Sequence, residues 1–362
     1  MLKLIFASIL LSVSYEQSKV YYMKRISSEN IKKIFIELKV PLGGKTGLKV
    51  HSGEKDGKYY IKPEMLQDLY NHTKGSFIEC NTYYNGSRNT TKAHENYLNK
   101  YSNWTKDGRD FVIMDSEPNQ DFKLKVNNSL ILNETIVGGK LQDFNSCIVI
   151  SHFKGHSSVG YGGALKQLSL GFASKRGKEI IHKFGNNKNQ KETKDNSENS
   201  LFLQAMVDAA SSIIDYFKNK SGIVYINVMS NITMKCDCSV NEVKAPNLSD
   251  FGILASSDPV ALDKACIDII RNSSANGRHE WLNQLKDYDG ESILKTAEDK
   301  GIGSQIYELV EVSDSKTGVL IAVVLSTIFG VTIFVGLFVG IIMRNPKQKT
   351  QEDFHLTQKM NE

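Results

Sequence analysis

The densest run of chemically capable side chains is Ser151-His-Phe-Lys-Gly-His-Ser-Ser-Val-Gly-Tyr-Gly-Gly-Ala-Leu-Lys-Gln, continuing through Gly171 and Gly177-Lys178 to His182. His152, His156 and His182 supply three imidazoles, and Lys154, Lys166, Lys175, Arg176 and Lys178 supply five cations. Imidazole gives or takes a proton near neutral pH. Gly160, Gly162 and Gly163 let a backbone approach a ligand and expose its N–H donors. These types in one stretch predict a site for an anionic, phosphate-bearing ligand. The spacing is not that of a P-loop, and G-x-G-G is not the dinucleotide fingerprint. Taken singly, the glycines would make turns, the histidines would bond in the core and the lysines would be solvated. Their concentration favours a site.

Two further clusters hold chemistry-bearing types. Lys235-Cys236-Asp237-Cys238 places two thiols where they could ligate a soft metal; free or mixed-disulfide thiols are the alternative. Asn81 to Arg88, followed by His94, reads as a polar loop with a turn near Asn85-Gly86. The five cysteines, Cys80, Cys147, Cys236, Cys238 and Cys266, are too sparse for a disulfide framework.

The elements that must position these residues are short. Leu48 to Ser52, Phe111 to Asp115, Cys147 to Ser151 and Ile223 to Val228 are rich in β-branched residues and read as buried strands. Helical spacing predicts helices over about 28–38, Leu201 to Lys220 and Pro259 to Arg271. Ser257-Asp258-Pro259 marks a helix start, with Asp258 as cap. The alternation predicts an α/β fold: a mostly parallel sheet with flanking helices. In such sheets ligands bind beyond the carboxyl ends of strands, where the histidine–glycine run begins. The polar stretch 186–200 should be a disordered loop inside one domain spanning 19–312.

The ends suggest a compartment. Gly318 to Met343 holds no charge and is long enough for a membrane helix, taken as 317–343. Arg344, Lys347 and Lys349 place a cytoplasmic tail at 344–362. Lys3 and the apolar Leu4 to Val13 give residues 1–14 the form of a signal peptide. Ten N-x-S/T sequons, at Asn71, Asn85, Asn89, Asn103, Asn127, Asn133, Asn219, Asn231, Asn247 and Asn272, all fall on the expected lumenal side. Gly336 and Gly340 form a weak G-x-x-x-G for helix pairing. A net charge of +5, with no basic block interleaved with aromatics, gives no nucleic-acid footprint.

The run SHFKGHSSVGYGGALKQLSLGFASKRGKEIIH resembles the hallmark of a family catalogued as a domain of unknown function (number 362). KVYYMK, the 49–64 stretch, CNTYYNGSRNTTKAH at 80–94, KCDC at 235–238 and DFGILASSDPVALDKACID at 250–268 are similar in order and spacing, so the resemblance covers about 19–272. Many members carry a ferredoxin insert with two 4Fe–4S clusters. Here the polar loop 186–200, without cysteine, stands in its place, and no iron–sulfur cluster is expected.

A more distant similarity is to the nickel-pincer lactate racemase family. It implies Lys166 as the cofactor-carrying lysine, His182 as a nickel ligand, and His156 and His94 as acid–base histidines. The resulting candidates are His156, His94 and His152 for catalysis, and Lys166, Gly160, Gly162, Gly163 and Lys178 for cofactor binding. His182, Cys236 and Cys238 are the candidates for metal. Two functions follow. One is a membrane-anchored enzyme with a metal or nucleotide cofactor, moving a proton or hydride on a small organic acid. The other is a metal-binding or surface scaffold without turnover.

Overall fold

The computed structural model describes residues 17–118, 120–184, 196–236, 248–314 and 321–325. The chain opens with β1 (Ser18–Met23), α1 (Ser28–Glu37), β2 (Thr46–Lys49), α2 (Gln67–Thr73), β3 (Ser76–Glu79), α3 (Thr91–Lys100) and β4 (Phe111–Ile113). Two hairpins flank the middle of the chain: β5 (Asp121–Lys125) with β6 (Glu134–Gly138), and β8 (Lys154–His156) with β9 (Gly160–Gly162). Between them runs β7 (Ser146–His152). Then come α4 (Ala164–Lys166), a π-helical turn Gln167–Gly171, α5 (Lys175–Lys183), α6 (Asn196–Lys218), β10 (Ile223–Met229), β11 (Gly252–Ser256) and α7 (Pro259–Asn272). The chain closes with α8 (Arg278–Asp287), α9 (Ser292–Asp299), β12 (Tyr307–Glu311) and β13 (Ile321–Leu325).

Nine strands form one sheet in the order β13-β12-β1-β11-β10-β7-β2-β3-β4. β10, β7, β2, β3 and β4 run parallel, while β11 and β13 run against their neighbours. The α/β fold with a mostly parallel sheet and flanking helices is therefore present. Alternation along each strand feeds two cores. Ile148, Ile150, Val224 and Ile226 face α1, α2 and α3, where Ile31, Ile34, Leu69, Tyr97 and Leu98 are buried. Cys147, Val149, Ile223 and Tyr225 face the other layer, filled by α4, α6, α7 and α9. A sheet covered on both faces explains why β7 and β10 carry almost unbroken apolar runs.

Local chemistry sets the helix starts. Ser27, Thr90 and Ser174 accept from backbone amides at the heads of α1, α3 and α5. Asp258 caps α7, accepting from Val260 and Ala261, with Pro259 in the first turn, as the sequence indicates.

Two expectations need correction. Residues 196–200 belong to α6 and not to a loop; 185–195 lie outside the described residues. Of the apolar run 318–343, the described part, Ile321–Leu325, is a strand added to the edge of β12. Without that strand β12 would present an open edge. Among the described residues no helix is long and apolar enough to cross a membrane. The expected leader 1–14 and tail 344–362 lie outside the described residues.

Candidate functional site

The strand order locates the site. From β2 the chain moves through β3 to β4 on one side, then returns to β7 and passes to β10 on the other. The order thus reverses between β2 and β7, whose carboxyl ends lie side by side. Loops diverging from such a switch point leave a crevice. A cavity of about 240 Å³ opens there. His51 follows β2, Glu79 and Cys80 end β3, and His156 follows β7; all four line it. Lys166 and Gln167, Lys178 and His182, and Tyr83, Tyr84 and Arg88 complete most of the wall.

Arg88 is the electrostatic centre. It is 1% exposed, yet four groups meet it. Its Nη1 donates to Glu79 Oε1 at 2.6 Å, and its Nε to Glu54 Oε1 at 3.2 Å. Its Nη2 donates to Tyr84 Oη at 3.0 Å and reaches His51 Nε2 at 3.3 Å. Glu79 also accepts from the amide and hydroxyl of Ser52 (3.1 and 2.5 Å). Burial pushes the Glu79 carboxyl up, but the Arg88 guanidinium and His94 overcome it and hold the group well below the usual carboxylate range. Glu54 is lowered in the same way, with Ser87 and Tyr84 adding hydrogen bonds. The loop carrying His51 is pinned from below, because Tyr97 Oη and Trp104 Nε1 both donate to the Ser52 carbonyl, at 2.6 and 2.9 Å.

The opposite wall is imidazole and ammonium. His156 Nδ1 accepts from the Ser158 amide at 3.2 Å, and Cys236 hydrogen-bonds the same ring. Burial first, then Lys166, lowers the His156 pKa. His182 stacks between Tyr83 and Phe202, with ring centroids at 5.9 and 5.3 Å. Burial, then Lys166, His156 and Lys178, brings it down to about 4. Both imidazoles are therefore neutral at pH 7. Among the described lining residues, Arg88, Lys166 and Lys178 face a single carboxylate, Glu79.

The structure gathers some of the expected residues and scatters others. His156, Lys166, Lys178, His182 and Cys236 share the cavity. His94 does not line it. It is buried on α3 with Nε2 3.5 Å from Glu79 Oε2, one step behind the wall. His152 is no part of the cavity either: its Nε2 donates to the Ser230 carbonyl at 2.6 Å. The glycines also depart from expectation. The amides of Ala164 and Leu165, at the head of α4, donate to Asp263 at 2.7 and 3.0 Å, so the chain's own carboxylate occupies the place foreseen for a ligand anion. Gly163 makes room for it, since a β-carbon there would lie 2.4 Å from Asp263 Oδ1. Gly160, at φ +76°, packs against Leu285 and Gly290, and Gly162 lies beside the Lys154 and Lys166 side chains. Cys238 lies outside the described residues. Among the described residues no three His, Cys, Asp or Glu side chains cluster to hold a metal.

Sequence reading missed His51, Glu54, Glu79 and Arg88. The alternation of charged and small residues after β2 and β3 was the available signal. The pairings span 34 positions for Glu54–Arg88 and 37 for His51–Arg88, which spacing within one segment cannot show.

No curated protein matches the chain. It is similar to the lactate racemase apoprotein of Thermoanaerobacterium thermosaccharolyticum: 15% identity over 59% of this chain and 50% of that one, TM-score 0.34. It is also similar to a structural-genomics protein of Thermotoga maritima: 15% identity over 77% of this chain and 60% of that one, TM-score 0.37. The chain thus spans half to three-fifths of those structures' length. A family model described as Domain of unknown function (DUF362) matches residues 46–268, the segment running from β2 into α7 that builds the crevice, and the chain belongs to that family.

Proposed function

We propose that the switch-point cavity binds a small organic acid and that His156 and His182 exchange a proton with it. The observation that carries this reading is the lining itself: beyond Arg88, which Glu54 and Glu79 hold, the Lys166 and Lys178 ammonium groups stand beside the imidazoles of His156 and His182, whose pKa values are lowered. Unbalanced positive charge in a half-enclosed space favours an anionic guest. A neutral imidazole is ready to accept a proton, and a bound anion would raise its basicity by offsetting the neighbouring ammonium groups. Arg88 is fixed by its carboxylates, so Lys166 and Lys178 are the movable cations for the guest's carboxylate.

A transition-metal cofactor such as a nickel-bearing nucleotide belongs to the same proposal. With such a group bound, Lys166 and His182 would hold it, leaving His156 as the proton-exchanging imidazole and Lys178 for the guest's carboxylate. When bound, such a group would supply the electron-accepting centre that hydride transfer requires. The Cys236 thiol, hydrogen-bonded to His156, offers one further soft donor.

We also propose that the domain is lumenal. Nine of the ten sequon asparagines are described, and all nine are exposed or half-buried, so none would need unfolding to carry a glycan.

The test is solvent exchange. The purified full chain, incubated in D₂O with a panel of 2-hydroxy acids, should exchange the α-proton of at least one of them, as followed by proton NMR. His156→Ala and His182→Ala should each slow exchange about 10²-fold or more. Binding of acids by calorimetry without exchange would leave a binding protein; absence of both would end the proposal.

A further inference from the structure

Beneath the cavity lies a cation that the proton-transfer reading does not use. Lys49, the last residue of β2, is 0% exposed. Its Nζ donates to the Val50 carbonyl at 2.6 Å, on a bed formed partly by the Phe172 ring, 5.8 Å from the ammonium. A buried ammonium with so few acceptors is costly to keep charged. Burial first, with Lys178 adding to it against the pull of Glu79, lowers its pKa to about 8.

Gly171, a lining residue that closes the π-helical turn, packs close to the Lys49 stem. A β-carbon on Gly171 would stand 3.2 Å from Lys49 Cε and 2.5 Å from Gln167 Oε1. Gly171 does not adopt the left-handed conformation that favours glycine, so the requirement at this position is space. With no side chain at Gly171, the cavity-lining backbone comes close to the lysine stem. Glu79 and Cys80, which interact electrostatically with Lys49, are themselves cavity-lining. π-turns of this kind often mark functional positions.

We propose that Lys49 is a carbonyl-reactive amine serving the cavity through the Gly171 window, and that the site accepts small 2-oxo acids. This deepens the organic-acid reading and rests on it. The carboxylate of the acid lies against the Lys166 and Lys178 ammonium groups. The free amine of Lys49 attacks the carbonyl carbon, a C–N bond forms, and the carbonyl oxygen takes a proton. Water then leaves with that oxygen and a second proton, and an imine remains. One amine and one carbonyl give one imine and one water, with no change of oxidation state.

The experiment is reductive trapping. The intact chain is incubated with glyoxylate and cyanoborohydride, and its peptides are analysed by mass spectrometry, while binding of glyoxylate is measured in parallel by calorimetry. The expected result is a carboxymethyl adduct on Lys49, at a rate that rises as pH passes through about 8. Lys49→Arg, which keeps the charge, should lower trapping at least about tenfold, and Lys183→Arg, at an exposed lysine outside the cavity, should retain the Lys49 adduct. Gly171→Ala, which leaves the lysine intact but closes the window, should also slow it. Lactate, which lacks a 2-oxo group, should compete. Adducts on Lys166, or spread evenly over surface lysines, would overturn the proposal. Binding without any adduct would overturn it and leave the organic-acid reading standing; no binding would remove both.

Discussion

At the scale of single residues, the buried pair of carboxylates around Arg88 makes a sharp prediction. Glu79 is ionised in the folded chain to unusually low pH, so the unfolded chain takes up its proton first as acid is added. Its contribution to stability is present above the ordinary glutamate pKa near 4.5 and is lost as pH falls below it. Arg88→Met would reverse this. With the guanidinium gone, Glu54 and Glu79 are left buried and unpaired, and their folded pKa values climb above the unfolded one. The variant should lose about 3–5 kcal/mol at pH 7 and regain part of that on acidification toward pH 5. Urea unfolding at several pH values measures both slopes; parallel slopes in the two proteins would refute the account. Much of this was hidden in the sequence. Arg88 sat in a stretch that reads as a polar turn, and Lys49 inside a run that reads as a strand. Neither residue shows its depth until distant segments close over it.

At the scale of elements, the contrast runs the other way. β7, β10, α1 and α7 are legible because their patterns are local: β-branched runs for a doubly covered sheet, helical spacing of Ile31 and Ile34, and the Asp258-Pro259 start. β1, β12 and the hairpins are not, since their pairing partners lie far along the chain; Val20 pairs with both Ser256 and Leu309. The head of α4 shows how a correct motif can be given the wrong partner. Glycines before a helix do free amides for an anion, but the anion is Asp263, from α7. Asn227 and Tyr161 also donate to it, at 2.7 and 3.3 Å. Gly163→Ala would force that carboxylate away and should destabilise the fold by about 2–3 kcal/mol, seen as a lower melting temperature. Affinity of the cavity for organic acids should change by less than about threefold, because Asp263 does not line it. A loss of affinity with unchanged stability would restore the glycines to the ligand site.

At the scale of the whole molecule, composition and end segments spoke to compartment while pattern spoke to fold, and the two can be tested apart. If the domain is lumenal, glycosidase treatment of the native protein should increase its gel mobility, and replacing exposed sequon residues such as Asn71 and Asn219 by Gln should remove part of that shift. An unchanged band would argue against the placement. The sheet adds a geometric consequence. β1 begins, and β13 ends, at the edge opposite the carboxyl ends of β2, β3 and β7, because Ser18 and Leu325 both register with Tyr307 at the start of β12. The two points where the described chain departs toward its termini therefore sit together, a full strand length from the crevice. The mouth of the crevice thus lies at the far end of the sheet from both points.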